Sequence, residues 1–267
     1  MASRLALGIE YDGSAFHGWQ RQPNARSIQH VLEEALGRIA AAPVHVTASG
    51  RTDAGVHATQ QVVSFDAAYE RPVDAWVRGT NSLLPDDVSV LWATPVDAAF
   101  HARFSATARR YLYVFVEATR APAIARQYAT WSARVLDEAA MHRAGRSLIG
   151  EHDFTTFRSA ACQAKSPFRC VFSLEVRRFD DFVVIDVTAN AFLQHMVRNI
   201  AAALNEVGRG DRESSWVADA LLARDRASIG ATAPPTGLYL HEVSYGSAFE
   251  FARSRPPAIL RAAGDVW

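Results

Sequence analysis

The chain has 267 residues, with 28 basic and 28 acidic side chains and 49% hydrophobic residues. That composition excludes a disordered tail or a low-complexity array and supplies apolar material for one large domain or two modest ones. No run of about 18 uninterrupted apolar residues occurs, which excludes a transmembrane helix. Glu10 and Asp12 come too early for the apolar segment of a secretory leader. Cys162 and Cys170, with seven residues between them, fit neither a disulfide framework nor a CxxC metal knuckle. The expectation is a cytosolic, metal-free globular protein.

In chain order, Arg4–Tyr11 reads as a strand closed by the turn signal Asp12-Gly13. Ser27 is the expected cap of a helix whose apolar residues Ile28, Val31, Leu32, Ala35, Leu36 and Ile39 recur at three- and four-residue steps. Two strands follow, Val44–Thr47 and Gln60–Phe65, separated by a Gly-containing loop. A helical segment over 73–83 and a strand over Val88–Trp92 complete the first half. The second half repeats this order. It has a strand at Arg110–Val116 rich in aromatic and β-branched residues, a helix over 136–149, and strands near 170–178 and 182–188 hinged at Asp180-Asp181. A helix over 193–207, a short helix near 215–224 and a last strand at Gly237–Val243 follow. Each half is β-α-β-β-α-β, the ferredoxin-like order. The predicted fold class is therefore α+β, with two such halves, antiparallel sheets side by side and an active-site cleft between them. The predicted domains are 1–104, 105–248 and a peripheral extension at 249–267.

Charge is unevenly placed. Residues 1–100 carry 7 basic and 11 acidic side chains, residues 101–180 carry 13 and 7, and residues 181–267 carry 8 and 10. Every basic residue is arginine except Lys165. Guanidinium forks suit phosphate oxygens and stack on bases, so the middle segment is a candidate lining for a nucleic-acid groove.

Three segments carry candidate chemistry. Ala48–Ala58 (ASGRTDAGVHA) lies between two strands and is too small and polar for core. Gly50 and Gly55 permit sharp bends, and Arg51, Thr52 and Asp53 place a guanidinium, a hydroxyl and a carboxylate between them. Thr-Asp-Ala-Gly is equally ordinary turn chemistry. Phe100–Tyr111 (FHARFSATARRY) runs Arg103, Arg109 and Arg110 into a strand with Tyr111, Tyr113 and Phe115 on one face. Basic residues beside aromatic faces are what single-stranded bases stack on, although Tyr113 and Phe115 read better as core. Phe192–Asn199 (FLQHMVRN) opens a helix with His195, Arg198 and Asn199 off its apolar face. His17, His45, His57 and His101 show no metal-ligand spacing, and no Gly-rich phosphate loop stands between a strand and a helix.

Together with Tyr11-Asp12-Gly13 and Phe16-His17-Gly18-Trp19-Gln20, these segments resemble the tRNA pseudouridine synthase A family, over nearly the whole chain. The resemblance implies the paired ferredoxin-like fold and isomerisation of uridine to pseudouridine at about positions 38 to 40 of the tRNA anticodon stem-loop. No membrane and a cytoplasmic location are expected from the composition and the missing leader; the resemblance implies no cofactor and no metal, a homodimer and a tRNA partner. Residue by residue, it implies that Asp53 is the catalytic aspartate and that Tyr111 and Arg51 bind the target nucleotide. It further implies that Arg198 is the basic partner of the Asp53 carboxylate. The rival from another class is a non-catalytic RNA-binding module of the same fold, since ferredoxin-like sheets also serve as RNA platforms. A pure binder gains nothing from an anion in a groove meant for phosphate, so Asp53 favours the enzyme. A nucleoside hydrolase ranks third, because it has no use for an arginine-rich middle segment.

Overall fold

The computed structural model describes residues 3–261; residues 1–2 of the expected first domain and 262–267 of the expected extension lie outside the described residues. The chain forms two compact units, and the division runs through its last strand. Residues 3–107 and Leu240–Arg255 make the first unit, and Ala108–Tyr239 with residues 256–261 make the second. Among the described residues no helix is long and apolar enough to cross a membrane.

In the first unit, β1 (Ser3–Tyr11) runs antiparallel to β3 (His57–Ala67) on one side and to β4 (Val88–Val96) on the other. Leu5, Leu7 and Ile9 on one face and Ala6 on the other are buried, as expected of a central strand covered on both faces. The two-residue β2 (Thr47–Ala48) pairs with β3 and is shorter and later than the expected Val44–Thr47. Helix α1 (Ile28–Ala40) buries Ile28, Leu32, Ala35 and Leu36 of the periodic residues and also Ala40, while Val31 and Ile39 of the expected set are half-buried.

Two expectations for this unit change. Ser27 sits at the N-cap of α1, but its side chain makes no capping bond and its Oγ is buried without a partner. The carbonyls of Gly18 and Trp19 accept the N–H groups of Ile28 and Gln29 instead, so the preceding loop does the capping. The helix expected over 73–83 contains a π-helical turn at Ala75–Gly79, which seats the buried Trp76 edge-on against Phe65 at 5.3 Å.

The segment expected to be a peripheral extension is largely exposed or half-buried, but its aromatic residues Phe249 and Phe251 pack into the first unit. Phe100 is fully buried, and the rings of Tyr245, Phe249 and Phe251 close on it with centroids at 5.0, 4.7 and 5.7 Å. Phe251 also stacks on Trp92 at 4.7 Å. Gln60 Nε2 donates to the Ala252 carbonyl, and Ser254 hydrogen-bonds Thr59. Three aromatic side chains within seven residues are what hold this stretch down, because each removes a large apolar area from water.

In the second unit the sheet order is β5-β9-β8-β7, all antiparallel: β5 (Ala108–Glu117), β9 (Phe182–Ala189), β8 (Phe168–Phe179) and β7 (Gly150–Asp153). A short β6 (Thr130–Ser132) runs parallel to the end of β5. Neither β6 nor β7 is visible in the sequence pattern, being three and four residues long. β8 and β9 are joined by a two-residue turn in which Asp180 takes φ +48°, a conformation that aspartate tolerates. Helix α2 (Glu138–Gly145) starts where Asp137 accepts the Ala140 N–H and continues as a 3₁₀ turn to Leu148. α3 (Met196–Gly208) begins three residues later than expected, because His195 is left-handed at φ +63°. α4 (Trp216–Ala223) and β10 (Leu238–Ser244) complete the order. Tyr113 and Phe115 are buried; Tyr113 hydrogen-bonds Thr130 and the Pro234 carbonyl, and burial pushes its phenol above the ordinary range.

Arg178 ties this unit together. Its guanidinium donates to both carboxylate oxygens of Glu117 (2.9 and 3.0 Å), to Glu138 and to the Leu136 carbonyl at 2.6 Å. One side chain thus joins β5, β8 and the start of α2. Arg178→Met leaves Glu117, whose side chain is 11% exposed, without its charged partner and with only the Leu136 N–H as donor, and lowers the unfolding free energy in urea titration by about 2–4 kcal/mol. A loss below about 0.5 kcal/mol would assign the cluster to the solvated surface.

Candidate active site

The loop between β2 and β3 carries Arg51, Thr52 and Asp53, and its shape is set by main chain from the loop after β1. The Thr52 carbonyl accepts the Trp19 N–H at 3.0 Å, and the Phe16 carbonyl accepts the Gly55 N–H at 3.3 Å. Within the loop, the Asp53 carbonyl accepts the Val56 N–H at 3.2 Å, closing a turn that Gly55 permits at φ +77°. Gly18, at φ +87°, lies so close that a Cβ there would be 2.7 Å from the Thr52 carbonyl oxygen and 3.1 Å from the Asp53 carbonyl carbon. A Cβ on Gly13 would collide with the Val56 carbonyl. Only glycine permits two backbones to approach this way.

Side chains lock the same crossing. The buried Tyr11 hydroxyl hydrogen-bonds Thr52 Oγ1 at 2.8 Å. His57, 2% exposed, accepts the Gly13 N–H on Nδ1 at 3.1 Å, and Asp12 Oδ1 lies 3.2 Å from the same nitrogen. Before the loop, Ser49 donates to Gln61 Oε1, and Gln61 Nε2 donates to the Gly50 carbonyl at 2.7 Å. The outcome is a turn whose main chain and threonine are fixed, with Asp53 half-buried and Arg51 exposed. A carboxylate held this way can act as a nucleophile or as an electrostatic partner with little reorganisation. Tyr11, Gly13, Gly18 and His57 belong to motifs already visible in the sequence, but their part in building the loop is tertiary, so no local pattern reveals it.

The other two candidates lie in the second unit. Tyr111 is half-buried on β5 opposite Val187 of β9, with its ring edge-to-face on Phe192 at 5.0 Å. Arg198 sits in the first turn of α3, and its Nε donates to the Ala233 carbonyl at 2.7 Å. Asn199, expected off the apolar face, is instead fully buried. Its Nδ2 donates to the Phe157 carbonyl and its Oδ1 accepts from Thr232, so both ends of the amide are satisfied inside. Arg51 and Asp53 thus come together in one loop of the first unit, and Tyr111 and Arg198 belong to the second. Of the arginines expected to line a groove, Arg110 is bidentate on Asp186 at 2.8 and 2.6 Å, and Arg109 donates to the Asn190 carbonyl.

The chain matches the family model described as tRNA pseudouridine synthase over residues 8–105 and 144–246. It is 52% identical to the tRNA pseudouridine synthase A of Nitrosococcus oceani, over 96% of this chain and 99% of that one. The proteins of the same name from Coxiella burnetii (strain Dugway) and Cronobacter sakazakii are each 50% identical, over 94% and 95% of this chain and 96% and 93% of theirs. Among solved structures, a chain of a Cbf5-Nop10-Gar1 complex is similar at a TM-score of 0.40 and 11% identity, over 88% of this chain and 48% of that one, a likeness too low to bear on the fold or the activity.

The crossing of the two loops is testable without any substrate. Gly13→Ala forces the Val56 main chain to move and lowers the unfolding free energy by about 1–3 kcal/mol. Ser14→Ala, one residue on and exposed, changes it by less than about 0.5 kcal/mol. Equal urea midpoints for the two variants would mean that the crossing carries no constraint.

Proposed function

The chain belongs to the tRNA pseudouridine synthase family, and from that premise we propose that it isomerises uridines at about positions 38 to 40 of the tRNA anticodon stem-loop, with Asp53 as its catalytic carboxylate. The reaction breaks the bond between C1′ and N1, turns the uracil and joins C1′ to C5. The proton leaves C5 and N1 gains one, so there is no net redox change and no water is consumed. A carboxylate suits this chemistry either as a nucleophile that forms a covalent intermediate or as a group that assists departure of the base.

The observation that carries the assignment is the build of the Asp53 loop. A half-buried carboxylate is held on a turn stitched by backbone bonds to residues 16–19 and clamped through Tyr11 and Thr52. A turn whose task was only to reverse the chain has no use for that second layer of fixation. Arg51, exposed beside Asp53, is assigned to holding the flipped-out nucleotide. Tyr111, with a half-exposed ring braced by Phe192, is assigned to contact with the target uridine; stacking there offsets part of the few kcal/mol that unstacking costs. Arg198 is assigned as the positive charge that supports the carboxylate. The same reading includes a homodimer working in the cytoplasm.

Tritium release from C5 of [5-³H]uridine-labelled unmodified tRNA tests the role of Asp53. The wild type releases tritium, and Asp53→Asn falls to the level of a no-enzyme control while its tRNA affinity stays within about threefold, because phosphate contacts dominate binding. Bound tRNA with no release from either protein hands the chain to the RNA-binding module.

A second measurement concerns charge. Despite the balanced 28 and 28, the affinity for tRNA falls steeply with salt, log Kd changing linearly with log[KCl] at a slope of about 0.7–0.9 per phosphate neutralised. A flat response would remove phosphate recognition from the reading.

A further inference from the structure

The motif Phe100–Tyr111 contributes Tyr111 to the reading above, and its first half is left without a role. That half is a tightly built loop ending in a ring turned outward. Phe100 and Ala102 are fully buried, whereas Phe104 is 77% exposed. The His101 carbonyl accepts the Ser105 N–H at 2.9 Å, and Ser105 Oγ accepts the His101 N–H at 3.0 Å. His101 Nδ1 accepts the N–H groups of both Arg103 and Phe104 at 3.2 Å. Ala102 is pinned at both ends, its N–H to Ser64 Oγ and its carbonyl to the buried Tyr245 hydroxyl. The Phe104 ring is backed by the His101 imidazole at 4.3 Å, and the Arg103 guanidinium carbon lies 5.6 Å from its centroid.

We infer that Phe104, with Arg103 beside it, is a stacking platform for an unpaired base of the tRNA substrate. The inference rests on the tRNA reading above. Single-stranded bases stack on aromatic rings and on guanidinium planes, and the neighbouring backbone seeks positive charge; this loop presents both groups within two consecutive residues. Prior fixation of the loop reduces the ordering cost of binding, since the ring is held out before the RNA arrives. A second protein surface fits less well. Docking patches are contiguous apolar areas of several hundred Å², and here one ring is followed by Ser105, Ala106 and Thr107 and preceded by an arginine.

The test is the affinity of the full-length protein for unmodified tRNA, comparing Phe104→Ala, Phe104→Leu and Phe104→Trp with the wild type. Stacking requires that Ala and Leu both weaken binding by roughly 5- to 150-fold, with Trp within about threefold of the wild type. The Ala-to-wild-type ratio stays constant as KCl is raised, whereas Arg103→Ala lowers the salt slope. The exposure of residue 104 leaves the thermal midpoints of all three variants close to the wild type. Full affinity in Phe104→Leu, or binding by Phe104→Ala within twofold of the wild type, overturns the inference. A change in sedimentation with unchanged tRNA affinity likewise overturns it and assigns the ring to a contact between copies of the chain. The two readings fail separately. A wild type that releases tritium with a flat Phe104 series refutes only the platform, and one that releases none while the series behaves as stated refutes only the catalysis.

Discussion

Backbone against backbone is the contact on which the proposed chemistry depends. Residues 13–19 cross residues 52–56 with no side chain between them at Gly13 and Gly18, and main-chain hydrogen bonds at Trp19–Thr52 and Phe16–Gly55 hold the crossing, with Tyr11 and His57 adding side-chain bonds. Main-chain bonds position an atom more tightly than a chain of side-chain rotamers does, because fewer torsions separate the anchor from the reacting group. Asp53 is therefore placed by the peptide on both sides of it and by one threonine, and its carboxylate is two torsions from that fixed frame. The crossing also explains why Tyr11 and His57, which lie at the ends of β1 and β3, are buried polar residues with their bonds directed into the same spot.

The repeated β-α-β-β-α-β order is legible in the sequence because long strands and amphipathic helices leave strong periods. β5, β8, β9 and α3 lie within a few residues of where alternation and helical spacing put them. What is lost has a common cause. β2, β6 and β7 are two, three and four residues long, too short for a period to register. Ser27 shows a cap signal, but main chain of the preceding loop satisfies the helix end, and Asn199 reads as polar and exposed although two partners far along the chain allow its burial. Local composition reports local structure; it is silent where a tertiary partner decides. The candidate site divides in the same way. Asp53 stands out through its glycines and its small, polar neighbours, whereas the residues that fix it do not.

The near-exclusive use of arginine acquires a structural meaning. Arg4 on Asp66, Arg26 on Asp87, Arg110 on Asp186 and Arg178 on Glu117 are all forked, two-bond pairs that a lysine cannot reproduce. Asp66 shows the effect on titration: the hydrogen bond from Arg4 holds its carboxyl below the usual range. Part of the basic excess in residues 101–180 is thus internal architecture, with Arg110 and Arg178 as examples. Charge clustering along the sequence overstates the charge offered to a polyanion, and the loop that presents Arg103 beside an open ring is a more specific feature than the excess itself.

The aromatic closure of Phe100 has a consequence for synthesis on the ribosome. The side chain that this core is built around emerges about 150 residues before Phe249 and Phe251, which cover it. At about 5–20 residues per second, translation leaves that ring uncovered for roughly 8–30 s. The first unit is discontinuous in the chain, so it cannot finish folding as it is made, and it waits for a segment encoded after nearly all of the second. A message truncated before residue 249 thus yields a first unit that lacks the rings of Phe249 and Phe251 over Phe100.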